Sequence, residues 1–391
     1  MSFDIERARR DTPGCNNRIH LNNAGAALPP RQVTDSMIEY LRLESEIGGY
    51  EASEQWHDQQ EQVYRSIAKL IGANRDEIAL MENATRAWDM ALYAIPFKPG
   101  DRILTSGAEY PGNYVGLMHL AKRTGAVVEV IPEDETGQIS LDALRNTMDS
   151  RVKVISITHV PTNNGLINPA EEVGKIAREA NVLYMLDACQ SAGQIPLDVN
   201  RFGCDMLAAT GRKYLRGPRG IGFLYVKKDK IADMDPPLLD QTAADFVGLD
   251  QYVMHPDARR FETWEGNKAL RLGLGVAIDY ALEWGIESIQ VRVVELAERL
   301  RAGLVDIKGM MVHDIGKEKC GIVTFTHERL SASEIRSGLT ERGISIYTRP
   351  ATPLDTQVGR MEPVARASVH YYNTEEEISR TLEALETITQ A

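Results

Sequence analysis

Residues 187–226 read DACQSAGQIPLDVNRFGCDMLAATGRKYLRGPRGIGFLYV, and this stretch decides how the whole chain is interpreted. It begins where an apolar run, VLYML, ends, and it closes on a second apolar run, GFLYV. Between them, Lys213 follows the small residues AAT and precedes a loop with three glycines and one proline. A solvated surface lysine does not need flanking glycines and a proline that fix the backbone. The pattern therefore indicates an amine that is held in one place.

Outward from this stretch, from about residue 60 to about residue 230, short apolar runs alternate with amphipathic helical patterns. DRILTSG and VKVISITHV are typical of strands, and QEQVYRSIAKLIGA and YVGLMHLAKRTG are typical of helices. This alternation predicts an α/β fold whose mostly parallel central sheet is covered on both faces. Ligands of such sheets bind beyond the carboxyl ends of the strands.

After about residue 230 the sequence pattern changes. A loop-rich region is followed by two long helical stretches and then by shorter alternating strands and helices. These features predict a compact C-terminal α/β domain. The predicted division is an N-terminal arm associated with the small domain (1–25), a large domain (26–265), and a long connecting helix with the small domain (266–391).

Composition excludes several classes of protein. The chain has 391 residues and a net charge of -12, which argues against nucleic acid or an anionic membrane as a partner. No apolar run approaches the roughly 20 residues that span a bilayer, and we do not expect the segment MSFDIERARRDTPGCNN to be a signal peptide. The four cysteines show neither C-x-x-C spacing nor histidine clustering, so we expect no metal site, no disulfide framework and a cytoplasmic location.

Polar residues stand where this architecture places a ligand. Asp187 follows five apolar residues and is costly to bury unless a cation meets it, although it could instead cap the next helix. In ENATRAW, Thr85 and Arg86 stand at a helix start, where backbone N–H groups bind anions; a simple cap is the alternative. Asn163 follows the strand VISITHV, and a plain turn is its alternative interpretation.

Together these groups match the needs of pyridoxal phosphate. The amine of Lys213 forms a Schiff base with the aldehyde, and the carboxylate of Asp187 keeps the pyridine nitrogen protonated so that the ring accepts electrons. The helix start at Thr85 holds the phosphate. One helix and one strand fit between Asp187 and Lys213, which returns the chain to the same edge of the sheet.

The stretch 187–226 closely resembles the signature of class V aminotransferases, a branch of the fold-type-I pyridoxal phosphate enzymes. The resemblance extends from LNNAGAALPP to ASVHYYNTEEEI. It implies that Lys213 is the Schiff-base lysine, that Asp187 pairs with the ring nitrogen and that Gln190 approaches the ring hydroxyl. The remaining cofactor contacts that it implies are Thr85, Arg86, Thr210 and Arg212 at the phosphate, Asn163, and Tyr110 stacked on the ring.

The resemblance also concerns the substrate and the assembly. It implies that Arg366 binds the substrate α-carboxylate with Asn23 nearby, whereas Arg366 could instead be a solvated residue at a strand start. Tyr110 could likewise pack at a turn. The resemblance further implies a homodimer in which the loop Thr263–Asn267 completes the partner's site. Nothing ranks the candidates for the distal end of the substrate, which are Arg349, His370, Tyr347 and Trp264.

The reaction is the least determined feature. The sequence around Lys213 is most similar to that of hercynylcysteine sulfoxide lyase and isopenicillin N epimerase. We therefore expect a carbon–sulfur β-lyase on a cysteine S-conjugate or its sulfoxide, giving pyruvate, ammonia and a sulfur product. An epimerase or an aminotransferase is the alternative. A cysteine desulfurase ranks last, because such enzymes carry a nucleophilic cysteine on a C-terminal loop and ISIYTRPATPLDTQVGRMEP contains none.

Overall fold

The structure, a computed structural model, describes residues 3–354 and 363–390. Its strands are β1 (Ile19–His20), β2 (Ile78–Met81), β3 (Arg102–Ser106), β4 (Val127–Ile131), β5 (Val152–Thr158), β6 (Leu183–Asp187), β7 (Met206–Thr210), β8 (Gly222–Val226), β9 (Ala244–Gly248), β10 (Gln251–Met254), β11 (Met310–Val312), β12 (Ile322–His327), β13 (Ile344–Ser345), β14 (Tyr347–Arg349) and β15 (Val364–Ser368). Its α-helices are α1 (Ile5–Arg10), α2 (Arg31–Ile47), α3 (Gly49–Gln55), α4 (His57–Ile71), α5 (Ala84–Tyr93), α6 (Pro111–Thr124), α7 (Leu141–Thr147), α8 (Ala170–Glu179), α9 (Val199–Phe202), α10 (Lys228–Ile231), α11 (Lys268–Trp284), α12 (Ile286–Asp306), α13 (Ala332–Glu341) and α14 (Glu375–Gln390).

Within these described ranges the largest sheet has seven strands in the order β2-β8-β7-β6-β5-β3-β4. The pairs from β4 to β7 are parallel, whereas β8 runs antiparallel to both of its neighbours, β2 and β7. The mostly parallel central sheet predicted from the alternating pattern is therefore confirmed. Because β5, β6 and β7 are parallel neighbours, their carboxyl ends meet at one edge of the sheet.

Both faces of this sheet are buried except along the edge strand β4, as the near-continuous apolar runs of the strands require. Successive side chains of a strand point to opposite faces. In β6, Tyr184 and Leu186 pack into one hydrophobic cluster and Met185 packs into another. In β8, Phe223 and Leu224 divide between the same two clusters. The sheet is thus the middle layer of a three-layer arrangement.

A smaller antiparallel sheet in the C-terminal part has the order β11-β12-β15-β14. The N-terminal strand β1 pairs in parallel with β13, and Asn22 forms a bridge with Ser368 at the end of β15. These contacts bring both ends of the chain together beside the large sheet. The predicted boundaries 1–25, 26–265 and 266–391 stay predictions.

The two long helical stretches predicted after the loop-rich region are α11 and α12. Gly285, with φ of 79°, separates them, and this left-handed conformation is one that glycine adopts without steric cost. Among the helices in the described part of the chain, none has the length and apolar character needed to cross a membrane.

Candidate active site

A cavity of about 420 Å³ opens at the carboxyl ends of β5, β6 and β7. Thr158, Asp187 and Thr210, the last residues of these strands, all line it. This is the position at which open α/β sheets bind ligands. The other lining residues are Asn83, Ala84, Thr85, Tyr110, Asn113, Val160, Thr162, Cys189, Gln190, Arg212, Lys213 and Gly220.

Lys213 lies in a closed loop between β7 and β8. Gly211 N–H donates to the Ile221 carbonyl at 3.1 Å, and Gly217 N–H donates to the Gly211 carbonyl at 2.8 Å, so the loop is tied at its base. The lysine is only 7% exposed. Burial lowers the pKa of its amine, because desolvation disfavours the charged form. The loop therefore holds an amine that gives up its proton more readily than a surface lysine does.

Arg216 holds the Lys213 loop in place, and no sequence pattern predicted that role. The residue has φ of 61°, a left-handed conformation that costs energy for a side chain of this size. Its guanidinium is buried and donates to the Leu28 carbonyl at 2.9 Å and to the hydroxyl groups of Tyr371 and Thr12. The strained loop is thus fixed by contacts from the N-terminal and C-terminal parts of the chain.

Asp187 ends β6 and is buried within hydrogen-bond reach of two donors. Its Oδ1 accepts from the Cys189 N–H at 2.8 Å, and its Oδ2 accepts from Asn113 Nδ2 at 2.8 Å. The first contact is a local turn of the kind that the helix-cap interpretation expected. The second comes from α6, a different element, and orients the carboxylate within the cavity.

Tyr110 is the N-cap residue of α6 and lines the cavity. The Lys213 amine lies 6.0 Å from the centre of its ring. Desolvation raises the pKa of the Tyr110 hydroxyl, so the ring is neutral at ordinary pH. The position suits a flat aromatic surface facing a bound ring, and stacking on the cofactor stays a prediction.

The start of α5 lies at the cavity, where the sequence predicts a phosphate site. Asn83 caps this helix by accepting from Arg86 N–H at 2.9 Å, and Thr85 in the first turn lines the cavity. Thr210 and Arg212 face the same cavity. The Arg86 side chain lies instead in a smaller adjoining pocket beside the loop Thr263–Asn267. A helix N-terminus with a neighbouring guanidinium is a suitable site for a phosphate.

Arg366 lies on β15, behind the lining residue Thr162. Its Nη1 donates to the Thr162 carbonyl at 2.9 Å, and its Nη2 approaches Asn22 Oδ1 at 3.4 Å. Its buried Nε has no partner among the described residues. The Tyr347 ring covers the guanidinium at 4.9 Å. Burial lowers the pKa of Arg366 to about 10, and the group is still a cation at neutral pH.

Four predicted contacts lie outside the cavity lining: Arg86 and Arg366, described above, and Asn163 and Asn23. The side chain of Asn163 accepts from the Thr162 hydroxyl at 2.9 Å. Asn23 is fully buried; its Nδ2 donates to the Ser368 carbonyl at 2.7 Å, and its Oδ1 accepts from the Tyr372 hydroxyl. The neighbour of Asn23, Asn22, is the residue that approaches Arg366. The cofactor role of Asn163 and the substrate role of Asn23 stay predictions.

The residues at this cavity fit pyridoxal phosphate. An amine, a buried carboxylate and a helix start surround one space, which matches an aldehyde, a ring nitrogen and a phosphate. Gln190 adds a specific observation: its Nε2 donates to the Ala24 carbonyl at 3.1 Å, while its buried Oε1 has no partner within the described part of the chain. Gln190 lines the cavity, and an acceptor without a partner at this position suits a hydroxyl group on a bound ring.

Comparisons with known proteins agree with this fit. A family model described as "Aminotransferase class-V" matches residues 19–381. The "Probable cysteine desulfurase" of Methanothermobacter thermautotrophicus is 29% identical over 391 residues, which cover 98% of this chain and 98% of that protein. A protein of the same description from Xylella fastidiosa is 32% identical over 402 residues, covering 98% and 95%. The apo structure of a cysteine desulfurase from Thermococcus onnurineus NA1 superposes with a TM-score of 0.93 at 28% identity, covering 100% of this chain and 99% of that one.

These relatives correct one prediction. The expectation of a β-lyase acting on a cysteine S-conjugate or its sulfoxide, with an epimerase or aminotransferase as the alternative, is wrong. The three similar proteins named above are described as cysteine desulfurases or probable cysteine desulfurases, the activity that the sequence interpretation ranked last. The error has a physical reason: the residues around Lys213 are those predicted to bind the cofactor, and the same cofactor contacts serve several reactions. The identity of the residues around Lys213 therefore could not distinguish one reaction from another.

Proposed function

The chain belongs to the class-V aminotransferase family and its cofactor is pyridoxal phosphate, and from this premise we propose that it removes the sulfur atom of L-cysteine. The observation that carries the proposal is similarity over nearly the whole chain to proteins described as cysteine desulfurases. The geometry of the cavity supports it, because the chain supplies a base, a carboxylate partner for the ring and a cation for the amino-acid carboxylate.

We assign substrate binding to Arg366. The Nε of its guanidinium has no hydrogen-bond partner among the described residues, and its two Nη atoms contact Thr162 and Asn22. A planar guanidinium binds a carboxylate with two parallel hydrogen bonds, which fixes the direction of the amino acid as well as its position. Tyr347 lies over the guanidinium and limits the access of water to it.

Lys213 moves the proton of the substrate α-carbon in this proposal. When bound, the cofactor supplies an electron sink that makes this proton acidic. Burial lowers the pKa of the Lys213 amine, so a larger fraction is neutral and able to accept a proton near neutral pH. The Asp187 carboxylate is held by Asn113 and the Cys189 N–H, and with the cofactor bound it would pair with the ring nitrogen and favour its protonated form.

The sulfur atom needs an acceptor, and we propose that this acceptor is an external thiol. The four cysteines are all buried. Cys189 alone of them lines the cavity, and burial, with Asp187 beside it, raises the pKa of its thiol well above the ordinary value. A protonated thiol is a poor nucleophile. In the net reaction the C–S bond breaks, the sulfur bonds to the acceptor thiol as a persulfide, and the carbon takes a proton to give alanine.

Two further parts of the proposal concern assembly and location. We propose a homodimer in which the loop Thr263–Asn267 reaches the partner's cofactor. It is supported by large apolar side chains left at the surface, among them Trp264, Phe246 and Leu249, which are 54%, 75% and 99% exposed. A cytoplasmic location is supported by the free state of the cysteines.

The experiment supplies the holoenzyme with L-cysteine and dithiothreitol and measures alanine, pyruvate and sulfide. We expect alanine and sulfide in equal amounts, because each persulfide formed is reduced by a second thiol. The variant Cys189→Ser should keep most of this activity, as should the matched control Cys204→Ser, which changes a buried cysteine away from the cavity.

Two outcomes would contradict parts of the proposal. Pyruvate in place of alanine would show that the sulfur leaves by elimination rather than by transfer to a thiol. Loss of sulfide release in Cys189→Ser, with Cys204→Ser unaffected, would make Cys189 the acceptor and exclude the external thiol.

A further inference from the structure

Glu109 is a buried carboxyl group that the proposed reaction does not use. It lies between β3 and α6 and is 4% exposed. Its Oε1 accepts from Tyr110 N–H at 2.7 Å, from Asn113 Nδ2 at 3.0 Å and from the Thr158 hydroxyl. Its Oε2 accepts from the Thr105 hydroxyl at 3.1 Å. A carboxyl group with this many donors is held in one orientation.

Asn113 joins this group to the ring-binding carboxylate. The same nitrogen, Nδ2, donates to Glu109 at 3.0 Å and to Asp187 at 2.8 Å. An amide nitrogen has two hydrogens, so each carboxyl group takes one and neither N–H is left for another partner. The position of Asp187 at the cavity therefore depends on Asn113, and the orientation of the Asn113 amide depends on Glu109.

Burial and neighbouring groups shift the pKa of the Glu109 carboxyl group in opposite directions. Burial raises the pKa of Glu109 to about 7, and the neighbouring charge of Asp187 acts in the same direction. The donors from Thr158, Tyr110 and Asn113 oppose this shift, because they stabilise the carboxylate. The groups in hydrogen-bond contact with Glu109 are neutral, so Asp187 is the charged group that faces it.

We propose that Glu109 is a positioning residue for the cofactor ring: through Asn113 it fixes the Asp187 carboxylate, and its own charge adds to the field that holds a proton on the ring nitrogen. The inference rests on the cofactor and not on the proposed desulfurase reaction. Below its titration Glu109 is neutral and Asp187 acts alone; above it, Glu109 adds a second negative charge close to Asp187. The cofactor should then be held more tightly as pH rises through this titration.

The test uses holoenzyme of the wild type and of Glu109→Gln, with Glu135→Gln as the matched control. Glu135 is an exposed glutamate, so the control makes the same change of charge at the surface. The measurements are the visible spectrum of the bound cofactor and its rate of release, both across neutral pH. We expect release to slow with rising pH in the wild type and the control. In Glu109→Gln this dependence should be lost, with release faster by roughly tenfold above the titration, the equivalent of one pKa unit at the ring nitrogen.

A second variant keeps the inference falsifiable if Glu109→Gln does not fold. Asn113→Ala removes the bridge and leaves both carboxyl groups, and it should shift the spectrum and speed release as Glu109→Gln does. In both variants kcat should fall while KM for the amino acid stays unchanged. A spectrum and release rate that match the control, in whichever of the two variants folds, would make Glu109 a structural residue at the start of α6 and overturn the inference. Because the readouts are the spectrum and cofactor release, they remain decisive even if L-cysteine is not the substrate.

Discussion

The predicted ring end of the site (Lys213 and Asp187) and its predicted substrate corner (Arg366) are built differently. At the ring end, Lys213 and Asp187 come from one contiguous stretch of chain, and the parallel strands before them bring both to the same sheet edge. At the substrate corner, Arg366 meets Asn22, a partner 344 residues away in the sequence. The first region follows from local order along the chain, whereas the second exists only when both ends of the chain have folded together.

The two regions also differ in how completely their polar groups are paired. Asp187 has a donor on each carboxylate oxygen. Arg366 keeps a buried Nε without a partner in the described residues, and Tyr347 over it is 39% exposed. A fully paired group is ready before its ligand arrives, while an unpaired one gains its contact from the ligand. The comparison therefore predicts that changes at the ring end abolish chemistry and that changes at the corner weaken binding.

The largest expected effect is at the ring end. Lys213→Ala should lower turnover by at least roughly a thousandfold, because it removes both the covalent anchor and the base. Borohydride reduction of the wild type, followed by peptide mass analysis, should locate the cofactor on Lys213. The surface variant Lys122→Ala is the matched control and should keep full turnover. Comparable turnover in Lys213→Ala would remove the distinction between the two regions.

Arg366→Lys should have an intermediate effect, seen mainly in KM. A lysine keeps the charge and loses the bidentate geometry, so KM for the amino acid should rise roughly ten- to a hundredfold while kcat changes less. Steady-state kinetics measure both constants, and Arg336→Lys on the exposed face of α13 is the control. If kcat fell and KM did not, Arg366 would belong with the catalytic groups of the ring end.

The smallest effect is expected at Tyr347. Tyr347→Phe keeps the ring over the Arg366 guanidinium and should leave KM within about twofold of the wild type. Tyr347→Ala removes a cation–π contact of about 0.5–1 kcal/mol and should raise KM roughly two- to fivefold. Equal KM values for the two variants would show that the ring does not support the guanidinium.

The sheet and much of the ring end could be predicted because their signals are local. Apolar periodicity distinguishes strands from helices, and the order of elements between Asp187 and Lys213 requires both to reach one edge. Thr85, Tyr110, Gln190, Thr210 and Arg212 also line the cavity. The reaction was not predictable in the same way, since the roles predicted for these residues concern the cofactor and not the leaving group.

By itself, the sequence determined the α/β layering and the cofactor, and it predicted the lysine that the structure places at the cavity. Only the tertiary structure decided which side chains support these groups: Asn113 bridges Glu109 and Asp187, and Arg216 anchors the Lys213 loop. Asn113 and Asp187 are 74 residues apart, and Arg216 and Leu28 are 188 apart. Periodicity and turn chemistry act over a few residues, whereas a hydrogen bond between distant segments depends on how whole elements pack, and no local pattern records that packing.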